Sequence, residues 1–471
     1  MDTPINERKI APSTDNRWES HFRATLALGI PLIGAQLAQL GINTTDVMIV
    51  GQLGAEHLAA MVLSAQFLFT ILVFGSGFAI AVIPMVAQAY GRGDIVSVRR
   101  SLRMGLWVVL AYWLLMLPAF FNSERILLAA GQKPEVAALA HGYIIIGQFA
   151  VLPGLLYNVI RSLVSAIGRA AVILNVTIAM LVLNAFFAYA LVLGHFGFPA
   201  LGLEGAAIVS VLVQLAGFIF IVAYVQSRAD TRRYEIFVRF WRPDWKAFWE
   251  VVRLGLPISV TILAEVSLFT VASLMMGRIG TIELAAHGIA LQWASIAFMI
   301  PLGLSQAATV RVGVAHGQGN HAAVVRASIT VMAIACAIAA IGGIVFAVVP
   351  EFLGSWFLDT KSPEASQVLA YAGPLIVVAG LFQLVDGIQA IANGLLRGLK
   401  DARVPMILAL IAYWPIGFFL AWAFAFPLGF GGIGIWFGFL VGLAAAAVML
   451  CARFYLMVRR ERDVTGNVLA R

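Results

Sequence analysis

Apolar residues occur along this chain in long uninterrupted runs rather than in alternation with polar residues. Runs of about twenty residues are long enough to cross a hydrocarbon core of ~30 Å as helices, which rise ~1.5 Å per residue. The alternation that is typical of an outer-membrane barrel is missing. The pattern therefore predicts twelve membrane-spanning helices, at approximately 24–50, 57–88, 103–121, 137–160, 170–194, 205–226, 251–276, 284–310, 327–350, 367–394, 404–427 and 433–457.

The second half of the chain repeats the first at a shift of 226 residues. This shift aligns Leu-Gly-Ile-Pro at 28–31 with Leu-Gly-Leu-Pro at 254–257 without gaps. Because each half holds six helices, an even number, both halves enter the membrane from the same side. We therefore expect an all-α integral membrane fold, in which two pseudosymmetric six-helix bundles, 24–226 and 251–457, surround a central cleft.

The distribution of basic residues predicts the orientation of these helices. A formal net charge of +8 would suit a nucleic-acid partner, but the Lys and Arg residues lie in short loops between spans, so no nucleic acid is expected. All but four of the 31 lie on the side of the N-terminus, and the four are Arg125, Lys133, Arg278 and Lys361. Because short basic loops remain cytoplasmic, we predict a multi-pass protein of the bacterial inner membrane with both termini cytoplasmic.

The segments outside the two bundles are read from the same pattern. The polar residues 1–23 lack the apolar stretch of a signal peptide and are predicted to form a cytoplasmic tail. Residues 458–471 are predicted to form the second cytoplasmic tail. Residues 227–250, rich in Arg and aromatic side chains, are predicted to form a cytoplasmic amphipathic connector on the membrane surface.

Few residue types point to a metal centre, a disulfide or an enzyme. Cys336 and Cys451 lie inside apolar segments, and His316 and His321, the closest pair of histidines, are read as solvated loop residues. With no catalytic Ser/His pair and no sizeable soluble domain, we expect neither an enzyme nor a resident cofactor or metal.

Three acidic residues lie well inside predicted helices, namely Asp46, Glu265 and Asp386. An ionised carboxylate at the centre of a membrane costs ~2.5–3.5 kcal/mol, so each must face protein or water. No Lys or Arg occupies the central part of a predicted helix, which argues against structural ion pairs. A functional role is therefore favoured over a protonated carboxyl that only joins two helices.

The positions of these acids suggest two sites. Gln36, Gln39, Asn43 and Asp46 share one helix face and should line a first-half cavity. Glu265 and Asp386 are expected within ~5 Å of the same membrane depth, where two carboxyls interact as a coupled pair and can exchange a proton for a cation.

Other positions leave two readings open. Asn184 is either a cavity residue or an ordinary interhelical amide, and the same holds for Gln292, which aligns with Gln66. For the aromatic residues in the second half, packing is favoured over stacking on flat substrates. These are Phe269, Trp293, Phe298, Tyr413 and Trp414.

Several motifs carry a resemblance to a known family. They are Gly-Ile-Pro at 29–31, Asp-Val-Met-Ile-Val-Gly at 46–51, Leu-Ala-Ala at 58–60, Ala-Glu-Val at 264–266, and the runs 383–389 and 396–401. On these motifs the chain resembles the multidrug and toxic compound extrusion (MATE) family, in its NorM-like bacterial branch, over roughly 24–457.

The resemblance implies export of cationic, often aromatic drugs in exchange for entering Na⁺ or H⁺. It implies that Glu265 and Asp386 match the cation-coupling site, with Na⁺ as one candidate ion there, and that Asp46 matches the acid of the first half. Ala188 and Phe382 stand where the family often has ligand residues, so the coupling ion stays open between Na⁺ and H⁺. The expected partners are the lipid bilayer and small cationic aromatic substrates, and the expected state is a monomer.

Three alternatives to multidrug antiport fit the sequence less well. A major-facilitator transporter would carry a fixed Asp, Gly and basic pattern that 91–100 only partly imitates. A flippase for lipid-linked sugars or other amphiphiles would need bases in its cavity to meet a pyrophosphate, whereas this interior is acidic. A membrane-embedded enzyme is the remotest alternative.

Overall fold

The computed structural model describes residues 17–357 and 365–469 and confirms the twelve predicted spans within them. Each is a helix long and apolar enough to cross a membrane. We label them α1 (Trp18–Val50), α2 (Ala55–Gly91), α3 (Ile95–Phe121), α4 (Pro134–Ala166), α5 (Ala170–Leu193), α6 (Gly202–Ser227), α7 (Trp245–Ile279), α8 (Thr281–Gly317), α9 (His321–Val348), α10 (Ala365–Gly398), α11 (Arg403–Ala425) and α12 (Gly431–Leu469).

Shorter helices fill some of the loops, and α11 is not uniform. The loop helices are Gly51–Leu53, which is a 3₁₀ turn, Ser123–Ala129, Ala229–Arg232 and Pro350–Ser355. In α11 the segment Ala412–Phe418 is a π-helix around Pro415. Proline has no N–H to donate to the preceding turn, and a π turn accommodates that loss by widening the helix locally.

Several helices extend beyond the ends predicted from hydrophobicity. The helix α1 begins inside the predicted tail, α7 begins inside the predicted connector, and α12 continues through most of the predicted C-terminal tail. The remaining tail residues, 1–16 and 470–471, and Lys361 lie outside the described residues. Helix ends are set here by packing and capping as well as by hydrophobicity, as where the Asp244 side chain accepts a hydrogen bond from the Ala247 N–H at the start of α7.

The twelve helices alternate in direction, so α1 begins and α12 ends at one membrane face. We call this the terminal face, and the other the opposite face. The loops 92–94, 167–169, 228–244, 318–320 and 399–402 lie at the terminal face.

Among the described residues, six glycines form paired contacts between the two halves, α1–α6 and α7–α12, and a seventh, Gly313, approaches Ala87. At each of them a Cβ atom would collide with the other half. The six contacts form three pairs, and the 226-residue shift converts each member of a pair into the other. In the first pair, Gly29 contacts Leu304 and Gly255 contacts Phe78. In the second, Gly77 contacts Ser259 and Gly303 contacts Ile33. In the third, Gly91 contacts Val314 and Gly317 contacts Gln88.

These contacts close the molecule towards the terminal face. The hydrophobic core of the first half takes in side chains from the terminal-face parts of α7 and α8, among them Val251, Leu254, Ile258, Val310 and Val314. A hydrogen bond of 2.8 Å from the Gln88 side chain to the carbonyl oxygen of Gly398 joins the halves at the same level. The cleft between the bundles therefore has its floor on the terminal-face side.

The connector 228–244 is folded onto α3. The side chains of Arg99, Arg103 and Trp107 donate hydrogen bonds of 2.9–3.1 Å to carbonyl oxygens between 234 and 240. The Arg100 guanidinium forms an ion pair with Asp244 and thereby holds the pKa of that carboxyl below its ordinary value. The connector is thus a docked segment rather than a free linker.

Candidate functional site

The two acids of the second half lie on two different helices and interact electrostatically. Asp386, on α10, is 4% exposed, and Glu265, on α7, is half-buried. Glu265 is fourteen residues from the end of α7 at Ile279, or ~21 Å along the helix, so the pair sits deep in the membrane.

A row of polar side chains surrounds Asp386 on its own helix. Gln383, Asp386, Gln389 and Asn393 share one face of α10, and each is at most 5% exposed. The Oε1 of Gln383, the Oδ1 of Asp386 and the Oε1 of Gln389 are buried and have no hydrogen-bond partner among the described residues. Since an unsatisfied buried acceptor costs about 1–3 kcal/mol, these three oxygens favour a bound cation or donor.

Tyr413 contributes a hydroxyl group to the same place. It lies in the π-helical segment of α11, is fully buried, and accepts a hydrogen bond of 2.5 Å from the Gln389 side-chain amide. It is within electrostatic range of both Glu265 and Asp386. We call Glu265, Gln383, Asp386, Gln389 and Tyr413 the second-half site.

A base also belongs to this neighbourhood, contrary to the expectation from the sequence. Because α10 continues to Gly398, Arg397 is part of the helix and half-buried rather than in a loop. It lies within electrostatic range of Glu265, with no direct salt bridge between the two side chains in the described parts of the chain. Glu265 therefore has a cationic neighbour on its terminal-face side.

The first-half acid has an amide partner instead. Asp46 lies four residues before the end of α1, near the opposite face, and is 9% exposed. Its Oδ1 accepts a hydrogen bond of 2.8 Å from the side chain of Asn184 on α5, which is fully buried. The buried Tyr143 of α4 lies within electrostatic range of Asp46. Asp46 and Asn184, with Tyr143, form the first-half site.

The other residues of the predicted polar face of α1 have different surroundings. Gln36 accepts a hydrogen bond of 3.4 Å from Arg161 on α4, which also donates one of 2.6 Å to Gln306 on α8. This chain of side chains crosses between the halves near the floor of the cleft. Gln39 is half-buried and Asn43 is exposed.

The remaining predicted positions are placed as follows. Gln292 is half-buried, whereas its equivalent Gln66 is exposed. Trp293 donates a hydrogen bond of 2.9 Å to the carbonyl oxygen of Leu353 and packs against three other aromatic rings, which is the packing role that the sequence favours. Phe382, one of the two departures from the family pattern, is buried against Phe269 and Trp436.

Sequence reasoning missed several members of these sites. Gln383 and Gln389 could have been found, because their spacing from Asp386 repeats the helical pattern that singled out the polar face of α1. The site roles of Tyr413 and Tyr143 gave no such signal, since their partners lie on other helices, and the same is true of Arg161 at the floor of the cleft.

The chain is similar to known proteins over almost all of its length. The sequence model of the MatE family matches residues 31–190 and 257–423. A probable multidrug resistance protein NorM from Agrobacterium fabrum (strain C58) is 69% identical over 450 residues, 96% of this chain and 97% of that one. A protein of the same description from Rhizobium meliloti is 63% identical over 451 residues, with the same two shares.

Solved structures share the fold at low sequence identity. The crystal structure of the eukaryotic MATE transporter AtDTX14 superposes with a TM-score of 0.83 at 21% identity, covering 95% of this chain and 99% of that one. A crystal structure of a MATE protein in the bent conformation gives 0.85 at 18% identity, covering 96% and 99%.

Proposed function

Because the chain belongs to the MatE family of multidrug efflux transporters, we propose that it is an antiporter that exports small cationic aromatic compounds in exchange for Na⁺ bound at the second-half site. As a member of this family it is a multi-pass membrane transporter rather than an enzyme. The coupling ion, the class of substrate and the orientation in the membrane belong to the proposal.

The observation that carries the proposal is the set of three buried acceptor oxygens on one face of α10, from Gln383, Asp386 and Gln389, with Glu265 within electrostatic range of Asp386. Hard cations are bound by carboxylate and amide oxygens. A single proton would satisfy one acceptor, whereas Na⁺ would engage several at once. This arrangement supports Na⁺ over H⁺, which is the alternative.

The closed floor of the cleft suggests how binding couples to transport. The Lys and Arg distribution supports a cytoplasmic terminal face and a bacterial inner membrane, so the cleft would face outwards in this structure. Na⁺ would enter from outside, and its binding would favour release of the exported cation. A ligand shifts such an equilibrium only by its differential affinity for the two states, which the buried acids can supply.

The acids also support the class of substrate. Asp46, Glu265 and Asp386 give the interior negative charge, while Arg161 and Arg397 lie towards the terminal face. An anion entering from the cleft would meet repulsion at low dielectric. Organic cations with aromatic bodies fit this interior better.

The deciding experiment is dye efflux from proteoliposomes, driven by a Na⁺ gradient or by a pH gradient, one at a time. Glu265→Gln and Asp386→Asn keep the size of each side chain and remove its charge. We expect wild-type efflux of an ethidium-like dye under the Na⁺ gradient and a rate equal to that of empty liposomes for each variant. Glu204→Gln, which neutralises an exposed carboxylate near the opposite face, should keep the wild-type rate.

Two results would contradict the proposal in different ways. Efflux driven by the pH gradient alone would replace Na⁺ by H⁺ as the coupling ion. Gradient-driven efflux that survives in both variants would exclude the second-half site as the place of coupling.

A further inference from the structure

A groove opens at the terminal face, away from the two sites described above. It lies between the first turns of α7 and the loop that joins α10 to α11, and it encloses about 740 Å³. A second hollow of about 470 Å³ adjoins it along α7. The lining includes Trp245, Lys246, Trp249, Arg253, Lys400 and Arg403. We call it the α7–α11 groove.

The groove has an excess of positive charge that the protein does not neutralise. Of its two acids, Glu250 already binds the Lys400 ammonium at 2.8 Å, and Asp401 binds Arg453 at 2.9 Å. Lys246, Arg253 and Arg403, all exposed, form no ion pair in the portion of the chain that the structure describes. Three free bases therefore converge on one concave surface, a setting that favours an anionic ligand.

The exposed side chains beside the groove change in a fixed order along α7. Trp249, Arg253 and Leu256 lie on one face of this helix and are all exposed. On passing from the terminal face into the membrane, the side chain changes from aromatic to cationic to aliphatic.

The same order from charge to hydrocarbon occurs on α11. Arg403, Ile407 and Ile411 are spaced by four residues, lie on one helix face and are exposed. The two helices are in contact, and Leu256 of α7 lines the same hollow as Arg403. The groove thus continues into a strip of aliphatic side chains at the depth of lipid tails.

This order matches the anatomy of a phospholipid. Tryptophan prefers the headgroup level of a bilayer, guanidinium groups bind phosphate in a bidentate manner, and aliphatic side chains pack against acyl chains. A free anion would use the bases but would have no need of the apolar strip beneath them.

We propose that the α7–α11 groove binds one anionic phospholipid from the leaflet at the terminal face. Its phosphodiester lies between Arg253 and Arg403, Lys246 meets the headgroup, and an acyl chain follows Leu256 and Ile407. The lipid connects the terminal-face ends of α7 and α11, two of the helices that carry the second-half site. The binding itself does not depend on which ion drives transport.

The test measures lipid binding to the purified full-length protein in detergent by native mass spectrometry and thermal shift. The ligands are phosphatidylglycerol, phosphatidylcholine with the same acyl chains, and inorganic phosphate. We expect one phosphatidylglycerol per chain to remain bound and to raise Tm, with neither effect from the other two ligands.

The variant Arg253→Gln with Arg403→Gln should bind phosphatidylglycerol about 30-fold more weakly, since each base near an anionic headgroup contributes roughly a fivefold gain in affinity. Arg228→Gln with Arg232→Gln removes the same charge from exposed positions of the same face outside the groove and should leave binding unchanged. Both pairs are at the surface, and circular dichroism and gel filtration check that each protein is folded. Single Arg253→Gln and Arg403→Gln variants, each about fivefold weaker, provide a second measurement.

Three outcomes would overturn the proposal. Equal loss in the control pair would mean that diffuse surface charge attracts the lipid. Equal binding of phosphatidylcholine would mean that the headgroup charge is not recognised. Displacement of the lipid by inorganic phosphate at similar concentration would make the groove a free-anion site.

Discussion

The paired glycine contacts allow a direct test of the closed floor. At Gly303, in the middle of α8, an added Cβ would lie 2.7 Å from both the Cα and the N of Ile33 on α1. These are main-chain atoms, so no side chain can rotate away. A carbon–carbon contact needs about 3.5 Å, and the two helices would therefore have to separate by close to 1 Å.

The size of the effect follows from the cost of overpacking. Forcing an extra methyl group into a packed interface costs about 1–3 kcal/mol. If that cost falls only on the closed form, the population of the form open at the terminal face rises about 5- to 150-fold, since 1.4 kcal/mol corresponds to a factor of ten. Gly77→Ala should act alike, because its Cβ would lie 2.7 Å from the Cα of Ser259.

Thiol labelling measures this population. In a background with both native cysteines replaced, Val310→Cys places a thiol in the core shared by the halves, where Val310 is 3% exposed. Gly303→Ala should accelerate labelling by a hydrophilic maleimide by the factor given above. Gly288→Ala is the matched control, because it makes the same change on the same helix with no atom within 4 Å of the new Cβ. Equal labelling rates for the two variants would refute the closed floor.

Three further changes test the sites and the connector. Tyr413→Phe removes the hydroxyl that binds Gln389 and should raise the Na⁺ concentration for half-maximal efflux about tenfold; an unchanged value would remove Tyr413 from the site. Asn184→Ala removes the donor to Asp46 and should destabilise the protein to thermal unfolding by about 1–3 kcal/mol, with a smaller effect in an Asp46→Asn background if the two groups are coupled. Asp244→Asn keeps a helix cap but loses the ion pair with an arginine, so trypsin should cleave the connector up to about fivefold faster. The pKa of Asp244 lies below its ordinary 3.8. The stabilisation of the connector by the ion pair is therefore present above pH 3.8 and is lost only as the pH falls through the lowered pKa. The protection of the wild-type connector from trypsin, relative to the variant, should accordingly be the same at pH 7 and at pH 5.

Hydrophobicity and the internal repeat were sufficient to predict the fold. The runs of apolar residues located all twelve spans, and the shift of 226 residues relates the glycine contacts found between the halves. The apolar runs and the internal repeat both extend over long segments, so many residues support each prediction.

The composition of the sites could be predicted only in part. Asp46, Glu265 and Asp386 were visible because a charge inside an apolar helix is conspicuous. Arg397 and Arg161 were not, because both lie where a predicted span ends, and packing between helices carries the actual helices further. The Tyr413 hydroxyl interacts with residues of two other helices, and no pattern in the sequence around the π-helical segment indicates those partners.

The paired glycine contacts also bear on how such a chain could arise. Three glycines of the second half contact three residues of the first half, namely Phe78, Ile33 and Gln88. The first half also contains the equivalents of those glycines, Gly29, Gly77 and Gly91. It therefore carries both partners of each contact.

A half-length protein with the sequence of α1–α6 could thus meet a second copy of itself through the same contacts, as in an isologous dimer. Gene duplication and fusion of such a dimer would leave its interface unchanged. It would also free the two copies to diverge elsewhere, as at Gln39 and its equivalent Glu265, so that a symmetric ancestor could acquire the proposed ion site in one half alone.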